Sequence, residues 1–166
     1  MANVTIIYGS TTGNTETAAN EIAEALSAHA VTVMDVASAS SSDLESADLL
    51  ILGTSTWGYG DLQDDWDANM SLIDDANLSD KKVALFGLGD SGSYCDTFTD
   101  GMGILYEAVK AAGAKVVGQV STDGYTYDAS KSEVDGMFVG LPIDDDTADE
   151  NAGRIAAWVA DLGAQL

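Results

Sequence analysis

The chain has 166 residues, 46% of them hydrophobic, and carries 28 acidic against six basic side chains for a formal net charge of -22. That length and apolar content suit a single domain over residues 1–166 and exclude a disordered chain, while the charge repels nucleic acid and anionic membrane surfaces alike. One cysteine, Cys95, excludes an internal disulfide and a cysteine-built metal site, and no apolar leader or membrane span is visible, so a soluble cytoplasmic protein is expected.

Val4-Thr5-Ile6-Ile7-Tyr8 reads as a buried strand, followed by Gly9-Ser10-Thr11-Thr12-Gly13-Asn14-Thr15 and then by Ala18, Ala19, Ile22, Ala23 and Leu26 at helical spacing. A strand, a hydroxyl-rich loop and a helix start, in that order, make an anion site at the carboxyl edge of a parallel sheet. Unpaired N–H groups and the helix dipole favour a phosphate, hydroxyls can donate to its oxygens, and glycines let the backbone curl close. Gly9 to Gly13 is one residue too short for a Walker loop, and no lysine or arginine precedes Lys81. A phosphomonoester on neutral donors is therefore expected, not a nucleoside triphosphate with magnesium. The plainer reading, a Ser/Thr-rich turn that caps a helix, stays open on the loop alone.

The only histidine, His29, falls near the end of that helix and is expected at its C-terminal dipole or on the surface. Val31–Met34 reads as strand two and Ala47–Gly53 as strand three, whose near-continuous apolar run suits burial on both faces. Strand three empties into Thr54 to Asp61, where Trp57 and Tyr59 alternate with Gly58 and Gly60. A tryptophan in a glycine-rich loop points to ligand contact more than to the core. A helix is predicted over Leu62–Ile73, with Leu62, Trp66, Met70 and Ile73 on one face and Asp61, Asp64, Asp65 and Asp67 at its start.

Lys82–Phe86 is strand four, and the loop Gly87-Leu88-Gly89-Asp90-Ser91-Gly92-Ser93-Tyr94 follows it. Its Gly-x-Gly-x-x-Gly spelling is a decoy for a dinucleotide site, because it neither opens a helix directly nor sits in the first βαβ unit. Its Gly-Asp-Ser-Gly is equally no serine-protease signature in an α/β chain whose only base is His29. Ile104, Leu105, Ala108 and Val109 mark the next helix, ended by Gly113, and Lys115–Val120 starts strand five. Residues 121–137 interrupt it before Phe138-Val139-Gly140-Leu141 resumes strand character. Asp144, Asp145 and Asp146 cap a last helix that buries Ile155, Ala156, Val159 and Leu162.

Three loops thus meet at one sheet edge: one for a phosphate, one with Trp57 and Tyr59, one with Tyr94. The implied ligand is a flat ring bearing a phosphate tail, and flavin mononucleotide (FMN) fits best. A receiver domain is excluded, since the strands that should end in acidic or basic residues end at Gly9, Gly53 and Val120.

The runs Gly9 to Glu16, Thr56-Trp57 with Asp61 to Trp66, and Gly87 to Tyr94 together resemble the flavodoxins over the whole chain. Thr122 to Tyr125, Ser130-Lys131 and Phe138 to Leu141 further resemble the insertion of the long-chain type, although Gly58 is the residue seen in short-chain members. The resemblance implies a doubly wound five-stranded parallel sheet of order 2-1-3-4-5, an insertion splitting strand five, and noncovalent FMN. It implies a low-potential one-electron carrier on the semiquinone/hydroquinone couple, with no substrate turnover and no metal. The implied cofactor contacts are Ser10, Thr11, Thr12, Gly13, Asn14 and Thr15 at the phosphate; Thr56, Trp57, Gly58, Tyr59 and Gly60 in the second loop; Gly89, Asp90, Tyr94, Thr97 and Thr99 in the third; and Asp146 at the ribityl chain. The peptide between Gly58 and Tyr59 is expected to turn its carbonyl toward the flavin.

Implied partners are basic redox proteins, such as a flavodoxin reductase or an iron-sulfur enzyme, docking a monomer at the acidic patch begun by Asp61, Asp64, Asp65 and Asp67. The acidic excess also suits plain solubility in a salty cytoplasm. Two alternatives remain on the same fold: an FMN-dependent NAD(P)H:quinone reductase, and a scaffold domain without flavin.

Overall fold

The computed structural model describes residues 2–10, 13–57 and 60–166. Its main sheet contains β1 (Asn3–Gly9), β2 (Ala30–Asp35), β3 (Leu49–Trp57), a short β4 (Asp61–Leu62), β5 (Lys82–Gly89) and β6 (Lys115–Val117). Three more short strands follow, β7 (Val120–Ser121), β8 (Glu133–Val134) and β9 (Met137–Phe138), before β10 (Leu141–Asp144) returns to the main sheet. The helices are α1 (Asn14–Ala25), α2 (Ser41–Glu45), α3 (Asp64–Asn69), α4 (Ser71–Asp75), α5 (Asp100–Ala111) and α6 (Asn151–Gly163).

The strand order is β10-β5-β3-β1-β2, all parallel, which is the doubly wound 2-1-3-4-5 arrangement expected from the sequence. Strand pleating splits the apolar runs between two cores. Ile6, Leu49, Ile51, Ala84 and Phe86 pack with Ala19 and Ile22 of α1 and Ile155, Trp158 and Leu162 of α6. On the other face Ile7, Leu50, Leu52, Val83 and Leu85 pack with Leu44, Trp66, Ile73, Leu105 and Val109. Each such side chain, removed wholly from water, contributes roughly 1.5 to 3 kcal/mol before entropy is charged against it. In α6 the inward position beside Ile155 belongs to Trp158, whereas Ala156 is exposed.

β3 runs on past Gly53 to Trp57, because the β-branched Thr54 and Thr56 continue its pleat. It stays paired with β5 as far as Ser55 opposite Leu88, then pairs antiparallel with β4. The helix predicted over Leu62–Ile73 is therefore two short ones. Leu62 is in β4, and the helix breaks at Met70 between α3 and α4, although Leu62, Trp66 and Ile73 are buried as their spacing suggested. The serine run around Ser40 starts α2, where the Asp43 carboxylate accepts from the Ser40 N–H and hydroxyl at 2.8 and 2.9 Å.

The fifth strand position is filled twice. β6 pairs with the first half of β5 (Lys115 opposite Lys82, Val117 opposite Ala84), and β10 with the second (Leu141 opposite Phe86, Asp144 opposite Gly89). Between them the insertion forms its own small antiparallel sheet, β7-β9-β8. Phe138 belongs to that sheet, so main-sheet pairing resumes at Leu141. Phe98, Tyr125, Tyr127 and Phe138 form its aromatic cluster, with ring centroids 5.1 to 5.9 Å apart. A 3-10 turn over Asp145–Glu150 separates β10 from α6.

Candidate functional site

β1, β3, β5 and β10 all deliver their carboxyl ends to one edge, where the candidate residues collect. At the end of β1 the Gly13 N–H donates to Ser10 Oγ at 2.9 Å, and Gly13 sits at φ +91°, a conformation that suits glycine. Among the described residues, no side chain accepts from the first-turn N–H groups of α1. The first-turn N–H groups of α1 are thus the orphan donors that a helix start leaves, with the positive end of the dipole behind them. Thr15 is buried beneath this turn and Asn14 is exposed on it. Thr11 and Thr12 lie outside the described residues.

Beside this helix start is a cleft of about 230 Å³. Of the predicted contacts, Asn14, Thr56, Trp57, Gly89, Asp90 and Tyr94 line it. Trp57 and Tyr94 are the large aromatics of its walls, 40% and 57% exposed, and such exposure of large rings suits a stacking ligand. The Trp57 indole N–H donates to Ser55 Oγ at 2.8 Å, which fixes the ring's direction. Gly58 and Tyr59 lie outside the described residues.

The Tyr94 loop is built by carboxylates. Asp90 Oδ1 accepts from the N–H groups of Gly92 and Ser93 at 3.0 Å each, and the Asp90 carbonyl accepts from the Tyr94 N–H at 2.8 Å. The Thr97 N–H reaches the Tyr94 carbonyl at 3.3 Å. Thr99, fully buried at φ +52°, stands behind the loop, and its hydroxyl is the one buried side-chain polar atom with no partner among the described residues. Gly60 is buried against Asp100, and the Asp146 carboxylate lies beside Gly92.

Three residues that the sequence did not single out also line the cleft: Ser55, Leu88 and Asp145. Ser55 and Leu88 come from strand extensions that periodicity cut short, and Asp145 is the neighbour of the aspartate chosen from an acidic triplet. Burial pushes the Asp145 carboxyl up from its ordinary range, and the charges of Asp90 and Asp144 add to this. Burial likewise raises the Tyr8 phenol at the end of β1, helped by Glu16 and Asp35. Asp61, Asp64 and Asp67 are exposed, leaving an acidic rim on the Trp57 side.

His29 is remote from all this. Its Nδ1 accepts from the Ala2 N–H at 3.2 Å in a larger cavity of about 640 Å³ at the opposite sheet edge, beside Asp48, Lys81 and Lys82. No helix among the described residues is long and apolar enough to cross a membrane.

The donor set suits a particular kind of group. Helix-start amides and neutral hydroxyls accept a phosphomonoester without a metal, and a cleft lined by two aromatic rings accepts a planar heterocycle. Comparison with known proteins agrees with this. The sequence profile of the family described as Flavodoxin matches residues 6–158. A flavodoxin of Picosynechococcus sp. is 44% identical over 164 residues, covering 98% of this chain and 96% of its own. Flavodoxin 1 of Escherichia coli is 40% identical over 168 residues, covering 100% and 96%. Among solved structures, Fusobacterium nucleatum flavodoxin bound to flavin mononucleotide superposes with a TM-score of 0.92 at 28% identity, covering 100% of this chain and 99% of that one.

Proposed function

The chain belongs to the flavodoxin family, and from that premise we propose that it carries electrons one at a time between redox proteins on noncovalently bound FMN. The observation that carries this reading is one cleft lined by Asn14 of the α1 start together with Trp57 and Tyr94. Bound there, FMN supplies the redox chemistry, and the chain supplies its setting. The α1 amides with Ser10, Gly13, Asn14 and Thr15 hold the phosphate, joined by Thr11 and Thr12. Trp57 and Tyr94 clasp the ring and exclude water from its faces. Backbone groups at Thr56, Gly89, Asp90 and Thr97 serve its polar edge, with Thr99 buried behind them, and the family's remaining second-loop contacts fall at Gly58, Tyr59 and Gly60. Asp146 serves the ribityl chain, joined by Asp145. Such a protein is an electron carrier and not an enzyme.

The carboxylates around the cleft oppose added negative charge on the ring and so lower its final reduction potential. At about 10 Å and an effective dielectric of about 20, each costs roughly 1 to 2 kcal/mol before salt screening. The acidic rim of Asp61, Asp64, Asp65 and Asp67 suits a basic reductase or iron-sulfur protein, and the net charge of -22 keeps copies apart, which favours a monomer. The insertion between β6 and β10 supports the long-chain type. Anaerobic reductive titration tests the reading: a yellow protein that passes through a half-reduced spectrum supports it. A colourless chain that takes up no FMN overturns it, and steady NAD(P)H oxidation without a separate reductase would make it a quinone reductase. Partner reduction rates should fall with salt; a flat profile would leave the charge a solubility role.

A further inference from the structure

The first turn of α5, Asp100-Gly101-Met102-Gly103, is wedged between the end of β3 and the insertion. A Cβ at Gly101 would stand 2.7 Å from the Ser55 carbonyl oxygen, and the Gly101 N–H donates to Thr56 Oγ1 at 2.9 Å. On the other side a Cβ at Gly103 would stand 2.6 Å from the Lys131 carbonyl. Asp100 touches both neighbours at once. It is 3% exposed, its Oδ1 accepts from the Lys131 N–H at 2.7 Å, and its Oδ2 lies 2.5 Å from where a Cβ at Gly60 would be. Gly60, at φ +90°, leads into β4, whose Asp61 pairs with Trp57.

We propose that Asp100 is a positioning residue that ties the insertion, through Lys131, to Gly60 and so to the Asp61–Trp57 pair that follows it, so that the state of its carboxyl sets how Trp57 meets the flavin. The inference rests on the flavin reading above. A carboxylate has two acceptor oxygens, and among the described residues only the Lys131 N–H donates to this one. Among the described residues, Gly60 packed on its Oδ2 is uncharged, as are Gly101 and Met102 of its own helix. The Lys131 ammonium is, among the described residues, the one charge acting on it. Burial pushes the carboxyl up from its ordinary range, against the Lys131 contributions that lower it. Protonated, Oδ2 becomes a donor facing the Gly60 backbone; ionised, it can only accept. Gly60 therefore meets a donor or an acceptor according to pH, which biases the backbone from which β4 and its pairing with Trp57 begin.

The test uses the full chain. Asp100→Asn keeps the shape and the acceptor for the Lys131 N–H but cannot titrate. In the apoprotein, NMR should show the Gly60 amide moving with the titration of the Asp100 carboxyl, that movement vanishing in Asp100→Asn, and Lys131→Gln shifting it to higher pH. In the holoprotein, the one-electron midpoint potentials plotted against pH should show an inflection that Asp100→Asn removes while FMN is still bound. If Asp100→Asn does not fold, Lys131→Gln carries both readouts. A Gly60 amide indifferent to Asp100, or potential profiles that coincide in wild type and variants, would overturn the proposal. A wild-type chain that binds no FMN overturns the flavin reading instead, and the apoprotein titration still decides the coupling.

Discussion

Ser91 gives both of its donors to a single buried carboxylate: its N–H reaches Asp144 Oδ1 at 3.0 Å and its hydroxyl reaches Oδ2 at 2.6 Å. Asp144 is the last residue of β10, is 1% exposed, and also accepts from the Asp146 N–H at 3.0 Å. The loop that carries Tyr94 is thereby pinned to the end of the sheet. Removing the carboxylate strands buried donors, so Asp144→Ala should cost about 3 kcal/mol, whereas Ser91→Ala, which loses one hydroxyl, should cost about 1 kcal/mol. Urea unfolding measures both. FMN affinity should fall further in the first variant, because the wall of the cleft loosens.

Arg154 of α6 is the clamp on the insertion. Its guanidinium donates to the Gly124 carbonyl and Glu150 at 3.0 Å each and to Thr147 Oγ1 at 2.8 Å, and lies 4.1 Å above the Tyr125 ring. A planar fork can make these contacts together and an ammonium cannot. Arg154→Lys should therefore cost about 1 to 2 kcal/mol. Amide exchange should rise around Gly124 and Tyr125 and in the turn of Thr147, with the α5 amides unaffected.

Tyr125 and Tyr127 set an alkaline limit. Burial pushes both phenols up to about 12; Arg154 opposes this at Tyr125, and the hydrogen bond to Glu133 adds to it at Tyr127. With the native pKa above the unfolded value near 10, the native state holds protons that the unfolded chain has released, so their contribution to stability is intact below about pH 10 and is lost as pH rises toward 12. Ultraviolet titration should show two tyrosinates forming only near pH 12, besides the raised Tyr8, with Glu133→Gln bringing one of the two earlier. Two phenols titrating with the free amino acid would contradict the packing of this cluster.

Cys95 should be a slow thiol. The Asp128 carboxylate accepts from Sγ at 3.4 Å, and this hydrogen bond, followed by desolvation and the charges of Asp128 and Asp96, holds the thiol pKa above its ordinary value. Less thiolate means slower alkylation at about pH 8 than for a free cysteine. Asp128→Asn should speed the reaction, and an unchanged rate would show that Asp128 does not control it.

Where a feature rested on local pattern, the sequence displayed it. The apolar runs of β1, β3 and β5, the Gly9–Thr15 loop before α1, and the exposed Trp57 and Tyr94 all stand out in the bare chain. Features decided by tertiary pairing did not. Nothing local at Gly53 shows that β5 will keep pairing with β3 as far as Ser55, which brings Ser55 and Leu88 into the cleft. The helical spacing of Leu62, Trp66 and Ile73 correctly marked an inward face, yet Leu62 reaches it from a strand. Asp100 carries no signal in the bare chain, and packing against the insertion and Gly60 is what makes it a buried carboxyl.

The doubled fifth strand has a consequence for how the molecule opens. Phe86 to Gly89 owe their outer pairing to Leu141–Asp144, while Lys82 to Ala84 owe theirs to Lys115–Val117, and the whole insertion lies between the two partners. The edge is thus nicked halfway along, and its two halves need not separate together. The half beside the cleft can detach with the insertion and α6 as one local unit that also frees the first turn of α5, while the lower sheet keeps its protection. Loading and loss of a tightly clasped ring then require the opening of one corner and not the unfolding of the domain.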